Sequence, residues 1–94
     1  KSRILNLEGF SIKNLSILSR YLKKSDYENL KELRLSGNKV THVTNFVRKF
    51  KNLRVLDLSE NKISRIGSSD FSGLNNLREL YLGGNQIESI SEQA

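Results

Sequence analysis

The 94-residue sequence predicts an α/β solenoid, with short parallel strands along one face and helices or tight turns returning along the other. Three observations carry this prediction. One phrase recurs as Leu30-Lys-Glu-Leu33-Arg-Leu35-Ser-Gly-Asn38-Lys-Val40, Leu53-Arg-Val-Leu56-Asp-Leu58-Ser-Glu-Asn61-Lys-Ile63 and Leu77-Arg-Glu-Leu80-Tyr-Leu82-Gly-Gly-Asn85-Gln-Ile87. The copies start 23 and then 24 residues apart, a period at which each unit buries its apolar face only against its neighbours. Within each copy the alternation of Leu with outward residues is that of a short half-buried strand. Equivalent strands running the same way stack as a parallel ribbon.

Counting the opening Leu as position one, positions four and six (Leu33 and Leu35, Leu56 and Leu58, Leu80 and Leu82) point inward. The position-eleven column (Ile12, Val40, Ile63, Ile87) and the position-fourteen column (Leu15, Val43, Ile66, Ile90) bend back into the same core. A degenerate copy precedes the three, as Arg3-Ile-Leu5-Asn-Leu7-Glu-Gly-Phe10-Ser-Ile12, with Phe10 where the others carry Asn. Asn38, Asn61 and Asn85 come just after the strands, where the backbone loses its ladder partners. A buried side-chain amide can both donate to and accept from such groups.

The phrase resembles the leucine-rich-repeat family over essentially the whole chain. The resemblance implies a right-handed leucine-rich-repeat solenoid with parallel strands on a concave face and helices, 3-10 turns or extended turns on a convex one. It also implies that the Asn column is a hydrogen-bonded ladder between coils, and that partners dock on the concave face. The expected organisation is one domain, 1–94, with a degenerate N-terminal repeat over 1–29, repeats over 30–52 and 53–76, and an incomplete repeat over 77–94.

The convex segments differ between coils. Leu15, Leu18, Tyr21 and Leu22 lie at helical spacing with cations opposite, which predicts a helix of two to three turns within 14–24. Lys13, Arg20, Lys23 and Lys24 form its wet face. Phe46, Val47 and Phe50 predict a short helix within 44–52, and the Gly- and Ser-rich start of 67–76 predicts an extended or 3-10 turn. In the fourth coil the equivalent of Phe71 would fall beyond Ala94. Ile87 and Ile90 are then expected to lack a covering coil, as in a piece of a longer solenoid, and the open C-terminal end offers a route to end-to-end self-association.

Composition narrows the chemistry. The sequence has no Cys, which excludes disulfides and thiolate metal sites. No apolar run approaches the ~20 residues that span a bilayer, so no membrane insertion is expected, and no signal-peptide pattern is visible. The net charge of +6 is compatible with an acidic partner. His42 is the one His and lacks a second ligand at metal spacing. Ser36-Gly37-Asn38-Lys39 lacks the ending of a phosphate loop. Asn14-Leu15-Ser16 is a formal glycosylation sequon, but Leu15 belongs to a core column and the motif opens a helix. The expectation is a non-enzymatic protein, without cofactor or metal.

The outward strand positions hold the candidate partner-binding residues. Position three carries Ile4, Glu32, Val55 and Glu79, position five Asn6, Arg34, Asp57 and Tyr81, and position seven Glu8, Ser36, Ser59 and Gly83. Of these, Glu32, Arg34, Val55, Asp57, Glu79 and Tyr81 are the candidate contacts, with Tyr81 as anchor because Tyr and Arg are over-represented among interface hot spots. Arg34 and Asp57, in one column on adjacent strands, can pair with each other. Position two is basic throughout (Arg3, Lys31, Arg54, Arg78), a stripe that favours an acidic strip or a phosphate backbone.

These residues point first to an adaptor that binds another protein. Absent cysteines, a helical first coil and high Lys content favour an intracellular setting, cytoplasmic or nuclear. The third coil, Phe71-Ser-Gly-Leu74-Asn-Asn-Leu77, is similar to repeats common in extracellular ectodomains, so a receptor or pathogen-effector fragment is the alternative. Association with nucleic acid through the basic stripe is the alternative of another class.

Overall fold

A computed structural model describes residues 3–43 and 45–90. Strands β1 (Ile4–Asn6), β2 (Glu32–Arg34), β3 (Val55–Asp57) and β5 (Glu79–Tyr81) form a four-stranded parallel sheet in the order β1-β2-β3-β5. The register keeps like columns together: Leu5, Leu33, Leu56 and Leu80 face one another across the ribbon, as do Asn6, Arg34, Asp57 and Tyr81. Position-two carbonyls extend the ladder. Arg3, Lys31 and Arg54 each accept from two N–H groups of the following coil, at 2.7–3.1 Å.

A second parallel sheet pairs β4 (Arg65–Ile66) with β6 (Ser89–Ile90). It occupies positions thirteen and fourteen and was not expected. In the first coil position fourteen, Leu15, is already helical, and in the second the helix begins two residues past it, at Asn45.

The core is one cluster running through the coils. Leu15, Leu33, Leu35, Val40, Val47, Phe50, Leu53, Leu56, Leu58 and Ile63 are fully buried. Both inward strand columns and the position-eleven column supply it in the two middle coils, where a neighbour lies on each side. The last coil is less covered: Leu82 and Ile87 are half-buried, and Ile90 is exposed.

The convex side departs from expectation in the first coil. A 3-10 helix spans Leu15–Arg20, and a separate α-helix, α1, spans Lys24–Asn29. Leu15 and Leu18 are three apart and both buried, which suits three residues per turn. The Ser19 hydroxyl donates to the Ser16 carbonyl at 2.7 Å, a local bond that competes with α-helical pairing. At that tighter winding Tyr21 leaves the inward face and is 74% exposed. Tyr27 of α1 takes the aromatic place instead. Its ring centroid lies 5.8 Å from that of Phe46 and 5.0 Å from that of Phe50. Asp26 sets the start of α1 by accepting from the Lys23 N–H at 2.7 Å. The second coil carries the expected short helix, of the 3-10 type, over Asn45–Lys49, and the third is turns, as expected.

Candidate partner-binding face

The Asn column is structural and works in one direction. Asn61 Nδ2 donates to the carbonyls of Leu35, Leu58 and Ser59 at 2.9, 3.0 and 3.0 Å, and its Oδ1 accepts from the Val40 N–H at 3.0 Å. Asn38 does the same for Leu7 and Ile12, and Asn85 for Leu58 and Ile63. Each amide thus closes the strand end of its own coil and of the coil before it. A second Asn column went unread in the sequence, although it stands just before each opening Leu. Asn52 Nδ2 donates to the Glu28 carbonyl at 2.6 Å, and Asn76 Nδ2 to the Lys51 carbonyl at 3.5 Å.

With these columns committed to the fold, the outward strand residues remain. Arg34 lies between two carboxylates, 3.0 Å from Glu32 on its own strand and 3.7 Å from Asp57 on the next. The Asp57 pairing follows from the column, whereas the Glu32 contact was not anticipated. Asp57 also accepts from the N–H and hydroxyl of Ser59, and the Ser59 hydroxyl reaches that of Ser36 at 3.0 Å. A continuous polar network therefore crosses β2 and β3.

Tyr81 and Glu79 form the second group, on β5. The exposed Tyr81 hydroxyl donates to Glu79 Oε1, and that bond, with the carboxylate's charge, raises the phenol above its ordinary value. Val55 is the exception among the six candidates, at only 6% exposure. It stands in register between Glu32 and Glu79, whose longer side chains flank it on both sides. It is a floor to the face and not a contact reaching outward. The basic column runs beside the face, with Arg3, Arg54 and Arg78 exposed and Lys31 half-buried.

Other sequence candidates resolve into structural roles. Asn14 Oδ1 accepts from the N–H and hydroxyl of Ser16 and caps the first 3-10 helix, so the sequon residues serve as a cap. His42 is exposed and contacts the Thr41 hydroxyl at 3.0 Å. Among the described residues, no three His, Cys, Asp or Glu side chains converge in a way that could hold a metal ion.

The comparisons with known proteins agree with the fold. The family model described as leucine rich repeat matches residues 28–87, more than half of the chain. The chain belongs to the leucine-rich-repeat family. Protein PAC2 of Saccharomyces cerevisiae is 34% identical over 91 residues, an alignment covering 90% of this chain and 18% of that protein. The leucine-rich repeat-containing G-protein coupled receptor 4 of Bos taurus is 34% identical over 87 residues, covering 92% and 9%. Leucine-rich repeat-containing protein 66 of Homo sapiens is 37% identical over 102 residues, covering 97% and 12%. The solved structure of the Leptospira interrogans LRR protein LIC12759 superposes with a TM-score of 0.77 at 31% identity, over 95% of this chain and 21% of that one. The chain thus spans 9–18% of the length of these three curated relatives.

Leucine-rich-repeat proteins generally mediate protein–protein interaction and are typically non-enzymatic. No helix among the described residues is long and apolar enough to cross a membrane.

Proposed function

We propose that the chain is a non-enzymatic adaptor module that binds a protein partner through its concave sheet face. One observation supports this reading: three of the four strands, β2, β3 and β5, hold Glu32, Arg34, Asp57, Glu79 and Tyr81 in register on a single outward face that the core cluster leaves unused. Tyr81 is the anchor, 44% exposed and bonded to Glu79 beside the polar network of β2 and β3. Arg34, held by two carboxylates, orders that network and is a weaker contact than a free cation.

Nucleic-acid association is the second reading, supported by the exposed cations at position two. Glu32 and Glu79 stand beside two of them and weaken a phosphate track. Single-stranded RNA titrated against salt separates the readings. The adaptor reading expects no binding at low salt, or a shallow slope. A steep slope that Arg54→Ala and Arg78→Ala reduce would reverse the order.

A pull-down with wild type and Tyr81→Ala, quantified by mass spectrometry, tests the adaptor reading directly. Specific partners should be recovered by the wild type and depleted with Tyr81→Ala. Equal recovery of the same proteins by both would sink the concave-centre assignment.

A further inference from the structure

Positions ten, twelve and thirteen of each coil form a flank between the concave sheet and the convex helices. Lys39, Thr41, His42, Lys62, Ser64 and Arg65 stand there exposed, while Val40, Val43, Ile63 and Ile66 between them are buried. These six belong to the two middle coils, each stacked against a neighbour on both sides, so their exposure is that of a side and not of an end. The backbone fixes the flank. The Lys39 N–H donates to the Ile12 carbonyl and the Lys62 N–H to that of Val40, both at 2.8 Å, and β4 pairs Arg65 with Ser89 of β6.

The chemistry of this flank is mostly that of donors. It carries Lys13, Lys39, Lys62 and Arg65, against Glu88 as the one carboxylate at these positions. Among the described residues none of the four cations is in an ion pair, and the pairs that do form belong to Arg34. Between the first and second coils the flank opens into a cleft of about 340 Å³ lined by Lys13, Asn14, Thr41 and His42. Asn14 Oδ1 already accepts from the Ser16 N–H and hydroxyl, at 3.0 and 2.8 Å, which leaves the Asn14 amide nitrogen for the cleft. The Thr41 hydroxyl and His42 Nδ1 meet at 3.0 Å, which leaves His42 Nε2 open. Two adjoining coils thus gather an ammonium, an amide donor, a hydroxyl and an imidazole, with no carboxylate among them.

That set suits an oxyanion. A phosphate monoester brings a charge of roughly −2 and three acceptor oxygens, more than a lone carboxylate offers to four such side chains. Further cations step along the flank at ~5 Å per coil, the spacing of stacked strands, so acidic groups beside the phosphate would meet Lys39, Lys62 and Arg65. Nucleic acid and membrane fit less well. No Phe, Tyr or Trp stands at these positions to stack a base, and no large apolar side chain is exposed there to enter a bilayer. We propose that the flank cleft between the first two coils binds a phosphorylated side chain of a partner protein, with acidic residues beside it lying along Lys39, Lys62 and Arg65. The cleft shares no residue with the concave columns, so the two sites can be tested apart.

An array of peptides with a central phosphoserine, phosphothreonine or phosphotyrosine and randomised flanks, beside an unphosphorylated copy, tests this. Selected peptides should be rich in Asp and Glu and bind at least ~10-fold more tightly than their unphosphorylated twins. Lys13→Glu/His42→Glu should abolish that difference, and Lys39→Glu/Lys62→Glu should weaken both forms. Two controls should preserve it: Tyr81→Ala, and Arg20→Glu/Lys24→Glu, which changes the net charge more but on the convex side. An array in which phosphate adds nothing, or an equal loss in the convex control, would overturn the proposal. Inorganic phosphate binding as tightly as the selected peptides would mark a free-ion site and contradict the partner. Tighter binding of single-stranded RNA, or of phosphatidylserine vesicles, would contradict it as well.

Discussion

Asn61 shows what a single residue contributes to this fold. Its amide engages three carbonyls and one N–H at 5% exposure, so removing it strands buried backbone groups that water cannot reach. Asn61→Ala is expected to cost at least ~1–3 kcal/mol, while the exposed neighbour change Lys62→Ala stays within ~0.5 kcal/mol. Thermal melts of the two variants check this, and equal mildness would contradict the ladder. The same site was legible in the sequence because the Asn recurs in register. Glu60 was not, although it occupies the left-handed turn position that Gly9, Gly37 and Gly84 hold in the other coils, at φ 54°. Glu60→Gly is expected to stabilise the chain by up to ~1 kcal/mol, measured by denaturant unfolding, because the Cβ penalty at positive φ disappears. Tyr81 gives a pH signature. Its neutral form is favoured by Glu79, so its ring signals should titrate above 10.0 in NMR, and Glu79→Gln should lower that midpoint. The sign follows: the contact stabilises the folded chain below pH 10.0 and is lost as pH climbs through the raised value.

The elements divide by how much of their cause is local. The four long-sheet strands were readable because a period of two within a fixed repeat states both the strand and its register. The convex elements were not, since spacings of three and four coincide over a short window. Leu15, Leu18, Tyr21 and Leu22 fit either an α-helix or a 3-10 turn followed by a new helix. Coil closure against Phe46 and Phe50 selects the second, and the extra length of the first coil is spent on α1. The corrected assignment makes a discriminating prediction. Tyr27→Ala removes two aromatic contacts and should cost ~1–3 kcal/mol, whereas Tyr21→Ala should leave the melting temperature nearly unchanged. The reverse order would restore the α-helical assignment. The short sheet of β4 and β6 was hidden for a different reason. Arg65-Ile66 and Ser89-Ile90 are two residues each, too short for an alternation to register.

At the scale of the whole molecule, the repeat separates two sets of letters. The Leu, Ile, Val and Asn columns hold adjacent coils together and are common to the family, so they carry the architecture and nothing of the partner. The outward residues are free to vary, and here they form two linked groups: Glu32, Arg34 and Asp57 with their serines, and Glu79 with Tyr81. Their placement on one face was legible, because position parity decides it. The burial of Val55 was not, because it depends on side chains of the neighbouring strands, and neither was the capture of Arg34 by Glu32, a rotamer choice within one strand that position parity does not state. The central claim is that this face, and not the convex side, meets the partner. NMR shift mapping on the isotope-labelled chain, titrated with the partner recovered by wild type and lost by Tyr81→Ala, tests it most directly. The largest shifts should fall within 32–36, 55–59 and 79–83. Shifts confined to 15–29 and 45–52, with the strand columns unmoved, would contradict it.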